Sequence, residues 1–181
     1  MLTEFQKRKL THVFGLFDND HSAHVDKSDL DRVVENLAGA IDAKAGSAGH
    51  RILEARYGDL WKVLEGIDAD RDGRVTLDEW LRAMEAITGS EHKYDQVFGQ
   101  MVDQVFDLLD HDGDSQVTSD EFVQWLGANN VSMKSARDAF RKIDLDHDGI
   151  LSKDEMTYLM LDFFYSDDPK APGNWLFGGL G

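Results

Sequence analysis

DADRDGRVTLDE, residues 68 to 79, places oxygen-bearing side chains at its first, third, fifth, ninth and twelfth positions and a glycine at its sixth. A hard divalent cation takes about six to eight oxygens, and a twelve-residue loop supplies them from positions 1, 3, 5, 7, 9 and 12, the seventh through its carbonyl. That assigns Asp68, Asp70, Asp72, the Arg74 carbonyl, Thr76 and a two-oxygen grip from Glu79. DHDGDSQVTSDE (110–121) repeats the pattern with Asp110, Asp112, Asp114, the Gln116 carbonyl, Thr118 and Glu121. DLDHDGILSKDE (144–155) repeats it with Asp144, Asp146, Asp148, the Ile150 carbonyl, Ser152 and Glu155. Gly73 and Gly149 occupy the sixth place, where the chain must turn sharply. Ser115 stands there in the 110 loop, at a cost of a few tenths to about 1 kcal/mol of strain rather than loss of the site.

Positions 9 and 12 also spell a capping box, Thr76 to Glu79, Thr118 to Glu121 and Ser152 to Glu155, so the residues that close each cage also start the next helix. The flanks are periodic. Five, four and one residues before each loop stand Val63, Leu64, Ile67; Val105, Phe106, Leu109; and Ala139, Phe140, Ile143. The same offsets give Val13, Phe14 and Phe17 before a weaker fourth copy, DNDHSAHVDKSD (18–29). These are helical stripes facing a core. Positions 13 and 17 continue the inner face beyond each loop, as Leu30 and Val34, Trp80 and Met84, Phe122 and Leu126, Met156 and Met160. Position 8 is Val25, Val75, Val117 or Leu151, a slot suited to a short β-ladder that pairs two loops.

The implied architecture is all-α, with four helix-loop-helix units in two pairs packed into a compact globule. Residues 1–88 form the first pair, 89–164 the second, and 165–181 a tail that packs back on the core. Residues 39–50 read as a longer connection within the first pair. Thr88, Gly89 and Ser90 break the helical pattern between pairs, with Ser90 a candidate cap. In the tail, Pro169, Pro172 and Gly173 impose a non-helical path before Trp175, Leu176 and Phe177, which predicts a hook folding into the cleft between the pairs.

This repeat is the EF-hand, and the layout resembles the sarcoplasmic calcium-binding proteins and calexcitins. The closing run YSDDPKAPGNWLFGGLG (165–181) and the opening TEFQKRKLTHVF (3–14) are similar to calexcitin ends. The resemblance implies a cytosolic calcium buffer or calcium-responsive signalling protein without catalysis. Three or four bound calcium ions are expected, with magnesium an alternative occupant, above all in the first hand. That hand departs most: Ala23 replaces the glycine and Asp29 the final glutamate. Asp18, Asp20, Ser22, the His24 carbonyl, Asp26 and Asp29 still leave a nearly complete oxygen set, with weaker calcium binding expected from the shorter carboxylate.

Composition narrows the partners. The formal charge is -16, and 19 of the 35 acidic residues lie in the four dodecamers, so four divalent ions would halve the charge. Nucleic acid is excluded as a partner by that sign. There is no cysteine, no apolar leader at MLTEFQKRKL and no lipidation signal, which predicts a cytoplasmic monomer without a membrane anchor. His24, His111 and His147 are expected to be solvated loop residues. A sensor with a target peptide is the first alternative, disfavoured by six scattered methionines. A carrier of an apolar, luciferin-type ligand lined by Trp61, Trp80, Trp125 and Trp175 is the second.

Overall fold

The computed structural model describes residues 1–89 and 94–180. Its helices are α1 (Glu4–Phe17), α2 (Lys27–Ala40), α3 (Ala48–Glu65), α4 (Leu77–Thr88), α5 (Tyr94–Leu109), α6 (Ser119–Ala128), α7 (Met133–Ile143) and α8 (Lys153–Tyr165). Each dodecamer contributes one two-residue strand: β1 (His24–Val25), β2 (Val75–Thr76), β3 (Val117–Thr118) and β4 (Ile150–Leu151). The all-α class and the four paired loops stand as read. β1 pairs antiparallel with β2, Val25 opposite Val75, and β3 with β4, Val117 opposite Leu151. All four of these position-8 side chains are buried, so each ladder is tied to its core by apolar contact as well as by backbone hydrogen bonds.

The helix starts follow the capping chemistry. At α2, α4, α6 and α8 the twelfth loop residue accepts the N–H of the cap residue while the cap side chain accepts its N–H in return. Asp26 caps the start of α2, and Gly89 caps the end of α4. Ser90 lies outside the described residues. The connection expected over 39–50 is shorter than its composition suggested, because α2 continues to Ala40 and Ser47 caps α3. His50 then lies between Glu35 Oε1 at 3.2 Å and Glu54 Oε2 at 3.3 Å, stapling α2 to α3.

The apolar stripes converge on one continuous core with a single misreading: Val63 is 53 % exposed. It stands at the mouth of an apolar cleft between the pairs, a cavity of about 120 Å³ lined by Phe17, Trp80, Met101, Val105, Met160 and Phe177 among others. The two pairs are also tied by polar bonds. Arg56 of α3 donates to the Asp110 carbonyl, and Asn36 of α2 donates to the Ala128 carbonyl at 3.2 Å.

Beyond α8 the chain makes a short 3-10 turn at Pro172–Trp175, and Leu176 and Phe177 are buried. The Phe177 ring lies 4.9 Å from Phe163 and 6.3 Å from Trp125. Gly173 donates its N–H to Asp162 Oδ2 at 2.8 Å, so close to α8 that a Cβ there would meet the Leu159 carbonyl at 2.5 Å. Helix α1 holds the segment from the other side. Lys9 Nζ donates to the Ser166 carbonyl at 2.7 Å, and His12 Nε2 lies 2.8 Å from the Phe177 carbonyl. None of the helices among the described residues is long and apolar enough to cross a membrane.

Candidate metal centres

Each dodecamer folds its first, third and twelfth carboxylates together, with ligand oxygens within 4.8 Å of one another. The groups are Asp18, Asp20, Asp29; Asp68, Asp70, Glu79; Asp110, Asp112, Glu121; and Asp144, Asp146, Glu155. Position 1 is buried and position 3 is exposed in every loop. The fifth-position residues are not drawn into these groups. Asp72, Asp114 and Asp148 instead accept the N–H of Arg74, Gln116 and Ile150, the residue two places on. That bond holds the turn that presents the carbonyl at position 7. In the first loop Ser22 takes this place, its hydroxyl donating to the His24 carbonyl at 3.2 Å.

The ninth-position hydroxyls of Thr76, Thr118 and Ser152 donate to the twelfth carboxylate at 2.7, 2.8 and 2.8 Å. The Thr76 N–H and hydroxyl therefore hold Glu79 below the usual carboxylate range. At Glu155 burial pushes upward, but the N–H and hydroxyl of Ser152 outweigh it. Asp70 is raised, chiefly by the charge of Asp72 beside it. Asp29 is raised by burial, against the N–H groups of Asp26 and Asp20.

Two oxygens test whether these cages suit a cation. Glu121 Oε1 and Asp144 Oδ1 are buried and accept no hydrogen bond. A buried carboxylate oxygen without a partner is costly, and an ion coordinated by positions 1 and 12 would supply that partner. The sixth-place geometry also fits. Gly73 and Gly149 have φ of 83° and 87°, and Ala23 and Ser115 are forced into the same left-handed region at 69° and 68°. All four loops thus share one backbone path, and two of them carry its strain without glycine.

Three residues here were not legible as site residues. His111 was expected in water, yet its side chain is only 7 % exposed and its Nδ1 lies 3.0 Å from the Leu109 carbonyl and 4.0 Å from Glu121 Oε1. The ring turns inward because the Leu109 carbonyl, at the open end of α5, offers it a hydrogen bond. Arg56 reaches the 110 loop from the other pair. Arg32 sits on the first loop, with Nη1 2.9 Å from Asp29 Oδ1 and Nη2 3.0 Å from Asp20 Oδ2.

Residues 57–127 and 104–161 match the family model described as an EF-hand domain pair. Calerythrin of Saccharopolyspora erythraea is 27% identical over 168 residues, 91% of this chain and 95% of that protein. Among solved structures, the coelenterazine-binding protein from Renilla muelleri superposes with a TM-score of 0.80 at 19% identity, covering 99% of this chain and 100% of that one. The sarcoplasmic calcium-binding protein from amphioxus gives 0.72 at 19% identity, covering 98% of each chain. At these identities the two structures are evidence of a shared fold.

Proposed function

Because this chain belongs to the EF-hand family, we propose that it is a calcium buffer of the sarcoplasmic type, holding three or four calcium ions and catalysing nothing. The observation that carries the reading is the set of four carboxylate groups, two of which keep a buried oxygen with no hydrogen bond. Asp68, Asp70, Asp72, Glu79 and the Arg74 carbonyl hold one ion. Asp110, Asp112, Asp114, Glu121 and the Gln116 carbonyl hold a second, and Asp144, Asp146, Asp148, Glu155 and the Ile150 carbonyl a third. The first loop, with its shorter Asp29, is the weakest for calcium and the most open to magnesium. Residues 1–88 and 89–164 act as two paired units, with 165–181 as a tail between them. The protein works as a cytoplasmic monomer.

Magnitude separates this from the alternatives. A small-molecule site spans about 300–1,000 Å³, against about 120 Å³ in the interlobe cleft, so the carrier reading lacks room. A sensor needs an apolar groove free to receive a helix, whereas Phe177 of the tail lines this one. The test is calorimetric titration of calcium in magnesium-free buffer. Glu79→Gln, Glu121→Gln and Glu155→Gln should each lose about one equivalent, since each removes the two-oxygen grip. A wild-type total of two or fewer would defeat the assignment.

A further inference from the structure

The first loop differs from the other three in the charge of what satisfies its carboxylates. In loops 68–79, 110–121 and 144–155, the hydrogen-bond donors to the twelfth residue are backbone N–H groups and the position-9 hydroxyl, all neutral. In the first loop the guanidinium of Arg32 bridges positions 3 and 12, contacting Asp20 Oδ2 and Asp29 Oδ1 at 3.0 and 2.9 Å. Asp29 is 1 % exposed, while the Arg32 side chain is 42 % exposed and free to swing into water.

The second hand is an internal control. Arg82 stands three residues after Glu79, as Arg32 does after Asp29, yet its ion pair is with Asp78, at 3.9 Å and outside the ligand set. Gln124 and Tyr158 hold that register in the other two hands. Arginine at this place is therefore not sufficient. Asp29 is one methylene shorter than glutamate, and its carboxylate lies where a guanidinium one helical turn on can span to Asp20.

We propose that Arg32 is a tethered counter-cation of the first loop, occupying the cage's charge in the metal-free protein, so that a divalent ion enters only by displacing it. The inference rests on the calcium reading of the other loops. Arg32 thereby sets the first site's affinity apart from the rest: calcium there competes with an intramolecular cation as well as with water.

The test follows the Ala23 amide by NMR during calcium titration of the full chain, since that N–H donates to Asp18 Oδ2 at 3.0 Å and reports the first loop alone. Removing two partly exposed ion pairs, as in Arg32→Met, should lower the calcium midpoint at Ala23 by about tenfold. Arg32→Lys, whose single ammonium cannot span both carboxylates, should fall between wild type and Arg32→Met. Melting gives a second readout. Arg32→Met should melt lower than wild type in chelator but not in saturating calcium. An equal loss in both states would mark an ordinary surface bridge and overturn the proposal, as would an Ala23 midpoint within twofold of wild type. If the other three loops take up no calcium in wild type, the calcium reading itself fails; if they fill and Ala23 is unmoved by the substitution, only the role of Arg32 fails.

Discussion

Lys9 is the most deeply buried cation among the described residues, with Nζ 5.1 Å from the centres of both the Phe5 and Phe163 rings and bonded to the Ser166 carbonyl. Burial pushes its amine down to about 8, with Asp162 and Asp167 opposing. An unfolded lysine titrates near ~10.4. Between those values the unfolded chain keeps a proton that the folded chain has released, so stability rises as pH climbs from about 8 to about 10.4 and is level in this respect below. In paired denaturant titrations, the stability of wild type relative to Lys9→Met should increase across that window. A constant difference would mean that Lys9 titrates normally. Residues of this kind mark the limit of reading a site from sequence. Arg32 and Arg82 share one register, and only the shorter Asp29 sends the first into the ligand set; His111 was read as solvated because its bond to the Leu109 carbonyl depends on where α5 ends.

At the scale of elements, the loops and the helices that leave them were legible because two demands fall on the same residues. Oxygen donors at fixed spacing and a capping box both require Thr or Ser at position 9 and Glu at 12, and both fix the first turn of α4, α6 and α8. The incoming helices were less legible: Val63 fits the stripe, but its exposure follows from how α3 and α5 meet, which periodicity does not encode. The prolines and the aromatic group mark the tail in the sequence, whereas nothing there marks its dependence on Gly173. A Cβ at that position would meet backbone atoms of α8, the Leu159 carbonyl and the Phe163 nitrogen, at 2.5 and 2.6 Å. Gly173→Ala should therefore lift the tail, costing about 1–3 kcal/mol as overpacking does. Deleting residues 166–181 should likewise lower the melting temperature and raise binding of a hydrophobic dye in the calcium-loaded state. Unchanged melting and dye binding in both variants would mean that the tail does not plug the cleft and would favour the sensor.

For the whole molecule, the two pairs are joined by three kinds of contact: helix packing of α2 on α6 and α3 on α5, the polar reach of Arg56 and Asn36, and the tail held between α1, α7 and α8. The Arg56 bond ends on the carbonyl of Asp110, the first residue of a metal loop in the other pair, so the pairs meet at a point where coordination is built. The cleft of about 120 Å³ is lost on unfolding, and the volume by which a protein contracts on unfolding scales with such packing voids. Hydrostatic pressure should therefore unfold the protein with a negative volume change, followed by tryptophan emission. Val105→Ile, which adds a methylene to the lining, should shrink that volume change and raise the pressure the fold withstands.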